Sequence, residues 1–279
     1  MGESGSGKST LAKMILGLEK PTSGSIIYKD KKLDEWLKKN RKAYLKEVQP
    51  IFQDPYAVYN PFYKVERVLS LILKNFNITS NEDEAHKIMV QAMEDIGLRP
   101  KDILGRYPHQ ISGGERQRLM LARILLMKPN LIMADEPVSM IDVSLKATFL
   151  EYLKTFRDKL GISSVYITHD LNTASFVSNN IMVMCNGKIV EKGPTHNVIR
   201  KPLHPYTKIL IDSILIPNPR ERGKERGNVT LLTRESLRRE TGCVFSSRCP
   251  WVEPGCKESV VELVNVGSDR EVACLVYAK

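Results

Sequence analysis

Long apolar runs are missing from this chain. The longest, such as 181–185 and 124–127, fall far short of the ~20 residues that a membrane-spanning helix needs, which excludes a bilayer-crossing segment. No basic stretch leading into an apolar one follows Met1-Gly2-Glu3-Ser4, so no secretory signal is expected. Among the 279 residues, 17 glycines and 15 prolines are too few for a collagen-like or low-complexity disordered chain. Aromatic residues make up 7% and do not interleave with basic ones, so there is no platform for stacking bases. Acidic residues are outnumbered, 32 against 42 Lys+Arg, leaving +10. That balance suits nucleic acid, anionic lipid or a phosphorylated ligand and does not choose among them. There is no internal repeat.

What is present reads as alternating strands and helices. Residues 1–18 form a glycine-rich loop running into a helix, with Leu11, Met14, Ile15 and Leu18 on one apolar face. A short strand at 25–28 is followed by a lysine-rich, exposed stretch over 29–46. Strands are expected at 48–53, 130–134, 164–168 and 181–185. Asn186-Gly187 marks a tight hairpin into a strand at 188–191. Helical patterns at 66–76, 81–96 and 101–107 form a helical insert spanning about 62–128. Another long helix carries Leu145, Phe149, Tyr152, Leu153 and Phe156. The class is α/β. A polar, proline-containing linker begins at 216, and 220–239 is rich in Lys and Arg. The expected division is 1–215 and 216–279.

Gly2-Glu3-Ser4-Gly5-Ser6-Gly7-Lys8-Ser9 satisfies G-x-x-x-x-G-K-[ST] in full, with Thr10 next on the helix. The glycines let backbone N–H groups curl round a phosphate chain, and the helix adds its positive end. In that pattern Lys8 neutralises β- and γ-phosphate oxygens and the Ser9 hydroxyl ligates Mg²⁺. The apolar strand before Asp135-Glu136 ends in two carboxylates where ligands sit in α/β sheets. Asp135 suits the Mg²⁺ shell and Glu136 suits an attacking water, although such a pair alone is an ordinary turn. Ser112-Gly113-Gly114-Glu115 has the form of a capping box with Ser112 at N-cap and Glu115 at N3. It reads equally as a plain helix start or as a second anion site. His169 and Gln53 are unremarkable singly.

Taken in order, these motifs resemble the nucleotide-binding subunits of ATP-binding cassette (ABC) transporters over about 1–215. The resemblance implies a P-loop NTPase with a RecA-like core and binding of ATP with Mg²⁺. It makes 2–9 the phosphate loop and Gln53 the residue near Mg²⁺ and the membrane partner. It makes Ser112–Glu115 the signature that closes on a partner's ATP, and Asp142 part of the D-loop. Glu136 becomes the catalytic carboxylate and His169 the switch residue at the γ-phosphate. Phe52-Gln53-Asp54-Pro55, Asp135-Glu136-Pro137-Val138-Ser139 and His204-Pro205-Tyr206-Thr207 are similar to ATPase subunits of oligopeptide and dipeptide importers, of the second, F-like type. That family implies a paralogous ATPase partner, two transmembrane permeases, an extracytoplasmic substrate-binding protein reached indirectly, no nucleic acid, and a peripheral place at the cytoplasmic face of the membrane. Cargo could be peptide, nickel or oligosaccharide.

The chain departs from the family in two places. The phosphate loop starts at residue 2 without the buried strand that leads into it, so a misassigned start is expected and adenine recognition is in doubt. Glu115 replaces the usual Gln and is expected to be tolerated, because a capping-box Glu folds back on the helix start. Of five cysteines, Cys185 reads as core, while Cys243, Cys249, Cys256 and Cys274 define a small Cys-rich C-terminal extension. Buried thiols or disulfides, an iron–sulfur site and zinc compete there. The pattern from Gly242 to Pro250 resembles the importer extension associated with a [4Fe–4S] cluster, favouring iron–sulfur over zinc. Two rival functions stand beside transport: a soluble ABC ATPase acting on nucleic acid or ribosomes, and a non-catalytic truncated remnant binding a partner ATPase.

Overall fold

The computed structural model describes residues 1–54, 58–213 and 242–278. It divides into two compact units, Ser9–Ile167 and Met1–Lys8 with Thr168–Lys279. The expected boundary at 215/216, the basic stretch 220–239 and Pro55 lie outside the described residues.

In the first unit, α1 (Lys8–Ile15) begins at the junction between the two. The apolar side chains buried here are Ala12 and, just past the helix end, Leu16 rather than the expected face, and Leu18 is 54% exposed. The helix ends at Ile15, and Gly17 turns the chain with φ +68° before Leu18 can share that face. A small hairpin, β1 (Ile27–Tyr28) and β2 (Lys31–Lys32), then leads into α2 (Leu33–Glu47). This corrects the reading of 29–46 as a merely exposed stretch, since Leu33 and Tyr44 are buried. Tyr44 donates its hydroxyl to the Ile15 carbonyl at 2.5 Å, and Trp36 Nε1 donates to the Tyr28 carbonyl at 3.0 Å. The helix breaks at Asn40, whose side chain accepts from Ala43 N–H and restarts the second half.

Strand β3 (Val48–Ile51) precedes the helical insert of α3 (Arg67–Asn75), α4 (Glu82–Glu94), α5 (Pro100–Ile103) and α6 (Gly113–Met127). Helices α3, α4 and α6 pack on one another and bury Leu69, Leu73, Met89, Met93 and Leu119. Each such side chain contributes about 1.5–3 kcal/mol of transfer free energy. The helix expected over 101–107 is only the short α5, because Leu104 is extended and Pro108 opens a separate 3₁₀ turn. After the insert come β4 (Leu131–Asp135), α7 (Val143–Leu160) and β5 (Ser163–Ile167). The sheet runs β3-β4-β5, all parallel, with Val48 opposite Leu131 and Leu131 opposite Ser163. Ala12, Leu16, Leu33, Tyr44, Val48, Met133 and Ile167 form one core cluster. The α/β class holds.

The second unit contains α8 (Leu171–Val177), β6 (Asn180–Cys185), β7 (Lys188–Pro194), α9 (Thr195–Arg200) and α10 (Pro205–Asp212). Asn186 and Gly187 take φ 44° and 81°, the left-handed pair a two-residue hairpin demands, and Cys185 pairs with Lys188 as the dipeptide predicts. Helix α11 (Gly255–Glu258) and strands β8 (Val264–Asn265) and β9 (Glu271–Val272) follow. The cysteine-bearing segment is not set apart from the rest of this unit. Strand β9 pairs antiparallel with β7, giving the order β6-β7-β9-β8. Phe245 joins Leu171, Ile181, Val183, Cys185, Val190 and Tyr206 in one core. Arg270 closes the seam: its Nη2 meets Glu191 Oε1 at 2.6 Å and donates to the Lys201 carbonyl at 2.7 Å. Glu191, fully buried, also accepts from the N–H groups of Leu203 and His204.

Candidate functional site

Residues 2–8 curl round one ammonium group. Lys8, buried, donates from Nζ to the carbonyls of Gly2 (2.8 Å) and Glu3 (2.7 Å) and to Ser6 Oγ (3.2 Å). Ser6 N–H returns to the Glu3 carbonyl at 3.2 Å. The loop is tied to its own unit from both sides. Met184 N–H donates to the Met1 carbonyl at 2.7 Å, Met1 N donates to the Met182 carbonyl at 2.7 Å, and Gly187 N–H donates to the Ser6 carbonyl at 2.9 Å. Gly2 has no substitute here. Its φ is +153°, and a Cβ would stand 2.1 Å from the Met184 carbonyl oxygen. Ser4, Gly5, Ser9 and Thr10 are exposed, and α1 opens directly behind them. A cationic cradle at a helix N-terminus is what a chain of phosphates needs.

Glu3 carries two ties that sequence reasoning missed. Its N–H donates to the Tyr206 hydroxyl at 2.9 Å, and its carboxylate receives Arg248 Nη1 and Nη2 at 3.1 and 3.0 Å. Both partners stand in stretches legible as motifs, His204–Thr207 and Gly242–Pro250, but nothing in their spacing points to residue 3.

In the first unit, β3 and β4 are parallel neighbours, and Gln53 and Asp135-Glu136 come off their carboxyl ends. Gln53 is exposed. Asp135 Oδ1 is buried without a hydrogen-bond partner, a lone carboxylate oxygen that suits a hard cation such as Mg²⁺. Glu136 has φ +44°, a conformation an L-residue holds only where neighbours enforce it. Its N–H donates to the Ile167 carbonyl at 2.9 Å, and its own carbonyl accepts from Ser139 N–H and Oγ. Asp142 is exposed at the N-cap of α7 and its side chain makes no capping bond. His169 is exposed in the second unit, just ahead of Asp170, whose side chain caps α8.

The start of α6 forms the capping box the tetrapeptide predicts. Glu115 N–H donates to Ser112 Oγ at 3.2 Å, while Ser112 N–H and hydroxyl donate to Glu115 Oε2 at 2.7 and 2.8 Å. Burial pulls the Glu115 carboxyl upward, but these bonds with Arg118 and Arg106 outweigh it and hold the group below its ordinary value. Gly113 and Gly114 open the helix between them.

The four C-terminal cysteines neighbour one another. Cys243 N–H donates to the Cys256 carbonyl at 2.7 Å. Burial first, and then nearby thiols, push Cys243, Cys249 and Cys274 upward. They are free thiols, and among the described residues no three His, Cys, Asp or Glu side chains converge as a metal-ligand group. The expected four-thiolate set is not brought together as a ligand group among the described residues. Cys185 is buried in the core as expected, its thiol pushed up to about 12 by burial.

A glycine loop closed on a lysine, opening a helix, with a strand ending in Asp-Glu, defines a P-loop ATPase. Solved cassettes share the fold. An ABC transporter subunit, cbiO1 from Clostridium perfringens, superposes with TM-score 0.62 at 27% identity over 72% of this chain and 78% of its own. The dimeric cassette MJ0796 with ADP and Pi gives 0.60 at 28% over 70% and 83%. A family model described as ABC transporter matches residues 1–139, and one described as oligopeptide/dipeptide transporter, C-terminal region, matches 190–256. The oligopeptide transport ATP-binding protein AppF of Bacillus subtilis is 36% identical over 100% of this chain and 84% of its own length. The dipeptide transport ATP-binding protein DppF of Haemophilus influenzae is 37% identical over 98% and 83%. The chain belongs to the oligopeptide/dipeptide transporter family of ABC ATP-binding subunits, and it is an ATPase. Among the described residues no helix is long and apolar enough to cross a membrane.

Proposed function

We propose that this ATPase powers uptake of short peptides through a membrane ABC importer, seated at the cytoplasmic face on two permease subunits and paired with a paralogous ATPase. The loop closed on Lys8 carries the reading. In it, residues 2–9 bind the phosphates of ATP and Lys8 exchanges its loop carbonyls for β- and γ-phosphate oxygens. Ser9, Gln53 and the orphaned Asp135 oxygen hold Mg²⁺, which when bound spreads the charge of the β- and γ-phosphates. Glu136 polarises the attacking water and His169 meets the γ-phosphate. The α6 start, from Ser112 to Glu115, closes on the partner's ATP, with Asp142 beside that interface.

The test is ATP turnover and peptide uptake by the reconstituted importer. Lys8→Ala is expected to lose ATP binding, and Glu136→Gln to retain binding while turnover and uptake fall by about 100-fold or more. Full turnover in Glu136→Gln would remove the assigned carboxylate. An iron–sulfur cluster on Cys243, Cys249, Cys256 and Cys274, with zinc as the alternative, rests on the donor set alone. Metal analysis and the visible spectrum of anaerobically purified protein decide between iron with sulfide, zinc and neither.

A further inference from the structure

The phosphate loop contains a carboxylate, and a carboxylate beside a triphosphate repels it. Glu3 sits one residue into the loop, and its carbonyl is one of the groups that hold Lys8. Its charge is met by a bidentate pair with Arg248 at 3.0 and 3.1 Å. The Arg248 side chain is 13% exposed and its guanidinium lies over the Phe245 and Tyr206 rings, at 5.2 and 5.9 Å from their centroids. Those rings are themselves fully buried and 5.3 Å apart. The arginine is thus delivered by a packed aromatic pair rather than by a loose surface side chain, and its planar fork matches the carboxylate. The Tyr206 hydroxyl fixes the Glu3 amide from the same side.

We propose that Arg248 is a positioning residue for ATP: it neutralises Glu3 and holds it so that the loop can accept phosphates, making the C-terminal segment a working part of the nucleotide site. This rests on reading residues 2–9 as the phosphate loop. The neighbouring cysteines are not needed for it.

The experiment measures magnesium–ATP affinity and the ATP dependence of turnover in the assembled importer for wild type, Arg248→Met, Glu3→Gln and the double variant. Methionine keeps an apolar stem on the two rings and removes the charge together with the two bonds to Glu3. Arg248→Met is expected to raise the KM for ATP by about tenfold with kcat nearly unchanged, since the lost interaction acts on binding. Glu3→Gln removes the charge that Arg248 answers, so adding it to Arg248→Met is expected to restore most of the affinity that Arg248→Met alone loses. An unchanged KM in Arg248→Met overturns the proposal. So does a loss that Glu3→Gln fails to repair, because that would be packing and not charge. If Arg248→Met does not fold, Arg248→Gln takes its place: it keeps a planar polar end without the charge, is expected to raise KM about tenfold, and an unchanged KM or a loss that Glu3→Gln fails to repair overturns the proposal. Wild-type protein that binds no ATP would instead sink the phosphate-loop reading itself.

Discussion

Two helix starts in this protein resemble each other in sequence and differ in how they are held. At α6, Ser112 and Glu115 satisfy each other's backbone groups within three residues. At α1, the segment from Met1 to Lys8 is pinned by Met182, Met184, Gly187, Tyr206 and Arg248, about 180 to 245 positions away. Both ends offer backbone amides and a positive dipole to an anion. One is self-contained, whereas the other exists only once a distant sheet and a C-terminal segment have folded round it. An anion site of the second kind can be lost through substitutions that never touch the ligand.

The largest expected effect breaks that frame. Arg270→Ala leaves the fully buried Glu191 without its charged partner and should destabilise the unit by about 3–5 kcal/mol. Chemical denaturation measures the loss, and ATP affinity should fall with it. An intact ATP site in a destabilised unit would mean that the phosphate loop is as self-sufficient as the α6 start. A smaller effect comes from pH. His204 is buried neutral, its pKa lowered to about 4 by burial despite a backbone hydrogen bond, and its Nδ1 accepts from Tyr206 N–H. The unfolded imidazole takes a proton at about 6.5 and the folded one does not. Stability is therefore whole above that pH and declines by up to about 3 kcal/mol as pH falls toward 4. Melting curves for His204→Asn should flatten over that window, and the tilt of the wild-type curve should be shared by the phosphate loop. The smallest effect is local. Ser112→Ala removes a single cap and should cost about 1 kcal/mol in thermal or chemical unfolding, with ATP affinity at the chain's own phosphate loop unchanged.

Legibility in the sequence follows the same division. The box at Ser112 and Glu115 and the Asn186-Gly187 hairpin are readable because each is closed by residues a few positions apart, while the glycine loop before α1 is readable only as a pattern of residue types, its fold being held from far along the chain. Helix α2 escaped notice because its inward side chains, Leu33, Trp36, Leu37 and Tyr44, are spread among lysines and the break at Asn40 shifts their phase. The face of α1 departs from its apolar pattern because a small residue, Ala12, is buried, while the end of the helix strands Leu18 in solvent. The spacing of the four cysteines carried chemistry but no geometry.

The sequence by itself determined the α/β class, the phosphate-loop pattern, the strand ending in Asp135-Glu136 and the self-capped start of α6. These depend on hydrogen bonds and periodicities spanning a few residues, which a local window contains. Only the tertiary structure decided that Glu3 meets Tyr206 and Arg248, that β9 extends the β6-β7 hairpin and that Glu191 is sealed by Arg270. Those pairings arise when packing brings together segments that have no local preference for each other, so no short stretch of chain can specify them.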